Sequence, residues 1–231
     1  TVARFDFRRN DLTVPADWDL PVPTVGWAEA VGTDAPLEFA DTAFEHPLWV
    51  LWSSGTTGAP KGIVHSHGGI VLELLKAVSL HGDVQRGDRF FFVTSTSWMI
   101  WNFMVAGLMV GAAPVIHDGS PTWPDVDGAW RVAELTRADV VGCGAGYLMA
   151  GSNAGSSPQD RFDLSRIRGI MQTGSTLPDH AWIWTSEHVS ASGRAPETAR
   201  SLTVPLTASS PIDPPGNRMG LTTKLSVVIA S

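Results

Sequence analysis

The chain has 231 residues, of which 43% are hydrophobic and 17% charged, and its formal net charge is −7. That length supports one sizeable core and the composition is globular, while an acidic balance without a lysine- or arginine-rich run argues against a nucleic-acid surface. Cys143 is the only cysteine, which excludes an internal disulfide and suits a reducing compartment such as the cytoplasm; no N-terminal targeting signal is visible.

Residues 1–45 read as an irregular lead-in, in which Pro15, Pro21, Pro23 and Pro36 break any long regular element and a short helix fits only around Trp27–Val31. Leu48–Trp52 is an apolar strand. It empties into Ser53-Ser54-Gly55-Thr56-Thr57-Gly58-Ala59-Pro60-Lys61-Gly62. Glycines let backbone N–H groups come close to an anion, hydroxyls add donors, and a lysine supplies a compact positive charge, so the loop suits a polyphosphate. It does not match the common Gly-x-x-x-x-Gly-Lys-Ser/Thr loop, because Ala59-Pro60 separates Gly58 from Lys61. The competing reading is a Ser/Thr/Gly-rich linker. An apolar strand in front and Pro-Lys-Gly-Ile-Val behind speak against it.

Gly62–His65 reads as a further short strand and Gly68–His81 as a helix with Ser66 as its N-cap, where Ile70, Leu74 and Ala77 recur on one face. Arg89–Thr94 is a strand, Trp98–Val110 a helix and Ala113–His117 a strand. The apolar run Trp98–Ile116 satisfies the length of a membrane-spanning helix. Gly107, Gly111 and Pro114 interrupt it and no basic cluster flanks it, so a buried helix followed by a strand is expected, without membrane insertion. Pro124 opens a helix to about Thr136, with Trp130, Ala133 and Leu135 among its apolar positions. Asp139–Cys143 is strand-like, and Cys143 within it is a small core residue rather than a nucleophile. Tyr147–Ala154 is a short helix, Ile167–Thr173 a strand and Pro178–His188 a helix.

Strands alternating with helices predict an α/β fold, a largely parallel sheet with helices on both faces. Ligands of such sheets gather beyond the strand C-termini, where the Ser53–Lys61 loop is expected to stand. Residues 190–231 shift to Ser, Thr, Pro, Ala and Gly, and a tail without regular structure is expected, periodicity returning only at Leu225–Ile229. The segment Thr173-Gly174-Ser175-Thr176-Leu177-Pro178 reads as a strand-to-helix connection with a hydroxyl cap and a first-turn proline. His65 and His67 lack a matching Cys or carboxylate cluster, so no zinc site is expected. Asp118, Asp125 and Asp127 read as isolated surface carboxylates and support no magnesium site.

The string Ser53–Gly62 resembles the phosphate loop of the adenylate-forming superfamily, the acyl-CoA synthetases and their relatives. Its flanks, His46-Pro47-Leu48-Trp49-Val50-Leu51-Trp52 before and Ile63-Val64-His65-Ser66-His67-Gly68-Gly69 after, narrow the likeness, as do Gly87–Phe92 and Ser97–Phe103. Together they are similar to acetoacetyl-CoA synthetases more than to acetyl-CoA synthetases. The resemblance runs from about His46 to about Val189 and implies that residues 46–189 are the ATP-binding core within that superfamily's large N-terminal domain. It implies small-molecule partners only: ATP with Mg2+, acetoacetate, and CoA as cosubstrate.

By the same resemblance, Ser53, Ser54, Gly55, Thr56, Thr57, Gly58 and Lys61 bind the nucleotide, with Ser54, Thr56, Thr57 and the Gly55 and Gly58 amides on the β- and γ-phosphates. Thr56 and Lys61 are the catalytic residues, Lys61 neutralising departing pyrophosphate, with a solvated surface lysine as the alternative. Gly174, Ser175 and Thr176 lie against the adenine and the acyl pocket. Trp98, Trp101 and Asn102 shape a short acyl pocket, core packing being the alternative for the two indoles and any polar partner the alternative for the amide. From Ser190 the text departs from the family, without its aromatic-Gly-x-Thr-Glu segment, its ribose-binding aspartate or its C-terminal lid domain. The chain is read as part of an N-terminal domain, inactive alone. The alternatives are a nucleotide-binding remnant without turnover and a ligase for acetate or propionate.

Overall fold

The computed structural model describes residues 31–32, 34–53, 61–189, 200–208 and 221–229. The chain divides into a unit Thr1–Asp41 and a unit Thr42–Ser231, and the strands and helices named here belong to the second. Strand β1 (Pro47–Ser53) pairs antiparallel with β2 (Lys61–Ser66), and α1 (His67–Leu75) starts directly behind it. Ser66 caps α1, its Oγ accepting the Gly69 N–H at 3.2 Å. The helix continues as a π-helical turn over Lys76–His81. Next come β3 (Arg89–Phe92), α2 (Met99–Val105) with a 3-10 extension Ala106–Val110, and β4 (Ala113–Val115). They are followed by α3 (Gly128–Thr136), β5 (Val140–Gly144), α4 (Ala145–Asn153), the single turn α5 (Pro158–Arg161), β6 (Gly169–Thr173) and α6 (Asp179–His188). Two strands, β7 (Arg200–Ala208) and β8 (Leu221–Ile229), close the order.

The larger sheet runs β4-β3-β5-β6-β8-β7. Its first four strands are parallel, and β8 and β7 join antiparallel beyond β6. Side-chain alternation sorts the parallel strands onto two cores. Phe90 and Phe92 of β3, Val140 of β5 and Met171 of β6 pack with Leu74, Val78, Ile100, Phe103 and Met104. Phe91, Val141, Cys143 and Ile170 face the other way, against Trp130, Leu148, Leu164 and Trp184. The helices α1 and α2 therefore cover one face, and α3, α4 and α6 the other. Each fully buried Phe stabilises by about 1.5–3 kcal/mol. The Phe92 ring lies directly on Gly142, where an added Cβ would come within 2.1 Å of it, so β5 needs a glycine at that point.

The N-terminal ends of β3, β5 and β6 are latched by charge. Asp139 accepts the Arg89 N–H at 2.8 Å and an Arg166 guanidinium N–H at 2.6 Å. Arg168 donates to Asp83 at 2.7 Å and to Asp88, whose carboxylate also takes the Gln85 N–H at 2.6 Å. A second knot joins α3 to α5: the fully buried Asp127 accepts Ser156 Oγ at 2.5 Å and Arg161, while Arg161 reaches Asp125 at 2.8 Å. Hydrogen bonding to Arg161 holds the Asp125 carboxyl below its ordinary value.

The parallel sheet with helices on both faces agrees with the α/β expectation, and three differences have physical causes. The strands at Leu48–Trp52 and Gly62–His65 do not enter the parallel sheet. They pair with each other instead, because only seven residues separate Ser53 from Lys61, too few for the dozen or more a parallel crossover needs. The helix expected from Pro124 begins at Gly128: the Asp127 N–H is taken by the Asp125 carboxylate at 3.0 Å and the Ala129 N–H by the Pro121 carbonyl at 2.9 Å, which holds 121–127 as turns. The tail expected without regular structure contains β7 and β8, which pair with each other and, through β8, with β6. The apolar run Trp98–Ile116 folds as α2, its 3-10 extension and the start of β4, and among the described residues no helix is long and apolar enough to cross a membrane.

Candidate functional site

The hairpin delivers the first candidate loop. Ser53 and Lys61 are register partners at the end of the β1–β2 ladder, so both ends of the loop are fixed one strand spacing apart. Ser54, Gly55, Thr56, Thr57 and Gly58 lie outside the described residues, and Ser53 and Lys61 are described by their backbone. The ladder below is tied by side chains: Trp49 Nε1–H donates to His65 Nδ1 at 2.9 Å. That bond requires the imidazole to carry its proton on Nε2, and burial holds its pKa below the ordinary value. His65 is thus a neutral cross-strand acceptor, and His67 packs edge-on against His46.

The second candidate lies at the C-terminal ends of the parallel strands. The chain leaves β3 toward α2 on one face and leaves β5 toward α4 on the other, which makes the gap between them the switch point where open α/β sheets take ligands. Segments Thr94–Trp98, Gly144–Leu148 and Gly174–Pro178 leave the three central strands, and none carries a charged residue. Gly174 has φ +94°, a left-handed value that a side chain adopts only with strain. A Cβ built there would stand 3.8 Å from Trp98 Cη2, so the indole and the turn are neighbours. Trp98 is 42% exposed, and Ser175 and Thr176 are exposed beside it.

The structure therefore brings Trp98 and the Gly174–Thr176 turn together. Trp101 packs against the Phe90–Met104 core and Asn102 is half-buried in the middle of α2. Sequence reading missed Gln172. This amide is 2% exposed in β6, and its Nε2 donates to the Ser175 carbonyl at 2.6 Å. A glutamine within the otherwise buried strand Gly-Ile-Met-Gln-Thr was the available signal, since a buried amide has to find a partner. Cys143 is fully buried and its thiol is pushed up to about 12 by burial, which removes it as a nucleophile. Among the described residues no group of three or more His, Cys, Asp or Glu is placed to hold a metal ion.

Residues 9–194 match the family described as AMP-binding enzyme. The chain belongs to the AMP-binding enzyme family. Curated relatives within reach of this AMP-binding chain include the acetoacetyl-CoA synthetase of Gallus gallus, 37% identical over 166 residues, which are 71% of this chain and 25% of that protein. The acetoacetyl-coenzyme A synthetase of Rhizobium meliloti is 41% identical over 154 residues, 67% of this chain and 24% of that protein. Among solved structures, acetoacetyl-CoA synthetase from Streptomyces lividans superposes with a TM-score of 0.68 at 46% identity, covering 77% of this chain and 27% of that one. The chain spans about a quarter of the length of the curated relatives it matches.

Proposed function

We propose that this chain forms the nucleotide-binding part of an ATP-dependent acid–CoA ligase whose acid is acetoacetate. In the reaction, an acetoacetate oxygen attacks the α-phosphorus of ATP and pyrophosphate leaves. The CoA sulfur then attacks the acyl carbonyl of the adenylate, and AMP leaves with the oxygen. Neither step needs a protein nucleophile; both need positioned reactants and stabilised phosphoryl charge. Ser54, Thr56, Thr57, the Gly55 and Gly58 amides and Lys61 are assigned to the β- and γ-phosphates, with Ser53 at the loop's base. Gly174, Ser175 and Thr176 are assigned to the adenine side, and Trp98 to the wall between it and the acyl group. Trp101 acts behind that wall as packing, and Asn102 offers an amide for the acetoacetate carbonyl.

The observation that carries the reading is the closed base of the hairpin: the Ser53–Lys61 register pins both ends of a loop rich in glycine, serine and threonine, as an anion cradle requires. Support for the acid comes from the relatives, all three of which are called acetoacetyl-CoA synthetases. Among the described residues the carboxylates do not gather into a ligand set for Mg2+. We place the protein in the cytoplasm, in keeping with a lone buried thiol.

Pyrophosphate release tests the proposal. Release that requires acetoacetate, and is faster with it than with acetate or propionate, is the expected result for the complete ligase. ATP binding by this chain without any release would favour a nucleotide-binding segment that does no chemistry alone. The reading fails if the protein shows neither ATP binding nor pyrophosphate release.

A further inference from the structure

The Gly174–Thr176 turn is exposed on its outer side, and the Gln172 side chain holds it from within. Gln172 sits one residue before the end of β6, 2% exposed, between Met171 and the fully buried Thr173. The strand's backbone is already engaged by β5 on one side and β8 on the other. Its amide reaches past Thr173 and Gly174 to the Ser175 carbonyl at 2.6 Å, closing a ring around the residue with φ +94°. Glycine at that position leaves the turn free to swing, so the amide supplies the restraint that the backbone lacks. A buried amide is retained only against a desolvation penalty, which an apolar side chain of the same size would avoid. On the far side of Gly174 stands the Trp98 indole, 3.8 Å from where a Cβ would be.

We propose that Gln172 is a positioning residue which fixes the Ser175 and Thr176 polar groups against Trp98, and so sets recognition of the nucleotide's base without acting on its phosphates. This rests on the assignment of the turn to the adenine side. Phosphate recognition belongs to the other loop, on the hairpin, so the two contributions separate in one experiment.

The test compares the whole chain with Gln172→Met, which keeps length and packing but removes the donor. Affinities for ATP, GTP and inorganic pyrophosphate are measured by calorimetry, alongside amide exchange at Ser175–Leu177. The expected result is ATP affinity lower by about tenfold, the size of one hydrogen bond's effect, with the preference for ATP over GTP lost. Pyrophosphate affinity stays unchanged and turn exchange becomes faster. If all three affinities fall together, or none moves, the positioning role is overturned. If the wild-type chain binds pyrophosphate without preferring ATP to GTP, the assignment of the turn to the base fails, a result visible before any variant is made. Should Gln172→Met not fold, the wild-type Gln172 side-chain amide decides by NMR. One slowly exchanging proton that shifts when ATP is added supports the role, and a freely exchanging pair indifferent to ATP overturns it.

Discussion

The two ends of the parallel sheet are built from opposite chemistry. Before β3, β5 and β6 stand Asp83, Asp88, Asp139, Arg166 and Arg168, knotted by hydrogen-bonded ion pairs, with the Arg89 backbone N–H held by Asp139. After the same strands come Thr94–Trp98, Gly144–Leu148 and Gly174–Pro178, with hydroxyls, glycines and backbone groups but no charge. The charged end uses its polar groups on one another. The neutral end leaves Ser175 and Thr176 exposed, with Gln172 spent on holding them in place. One end ties the sheet together; the other leaves hydroxyls open to solvent.

The largest effect is expected at the charged end. Asp139→Ala leaves the Arg89 N–H and a guanidinium without their acceptor, and should lower unfolding stability by about 3 kcal/mol in urea titration, while ATP affinity of the folded protein is unchanged. An equal loss of ATP affinity would erase the division of labour. At the neutral end, Gly174→Ala should cost about 1 kcal/mol, because the site has space for a methyl but its φ does not suit one. Here ATP binding should suffer more than stability does.

The hairpin adds a pH dependence. Burial favours the neutral His65 imidazole and Trp49 donates to it, so the unfolded chain takes up a proton more readily than the folded one. Stability from this pair is therefore full above the ordinary value of 6.5 and declines as pH falls below it. Urea midpoints from pH 8 to 5, with and without His65→Gln, should show that part of the decline vanish in the variant. The smallest effect belongs to Lys76→Ala, whose half-buried partner Glu73 lies 2.8 Å away, three residues earlier. It should change stability by about 0.5 kcal/mol or less, and a larger change would mean that surface charge matters more than the sheet-end knot implies.

Most of the α/β order was legible because hydrophobic period and turn residues agreed along the chain. Arg89–Thr94 reads as a strand, and β3 forms there with Phe90, Phe91 and Phe92 buried; Ser66 reads as a cap, and its Oγ takes the Gly69 N–H. Partners distant in sequence were not legible. Nothing near Leu48 reveals that its strand pairs with Lys61–Ser66 rather than entering the main sheet, and Asp127, taken for a surface carboxylate, is buried because Ser156 and Arg161 come to it. The candidate site divides in the same way. Ser175 and Thr176 were visible as a hydroxyl turn, whereas Gln172 acquires meaning only once its amide is seen on the Ser175 carbonyl.

In the proposed function, the hairpin loop closed by Ser53 and Lys61 grips nucleotide phosphates while the turn after β6 meets the base. Titration of the isotopically labelled chain with ATP and with pyrophosphate, followed by amide resonances, tests it most directly. The claim predicts saturable binding in which both ligands shift residues 54–61 and ATP alone also shifts 174–176. Binding that leaves 54–61 unmoved, or no binding at millimolar nucleotide, would contradict it.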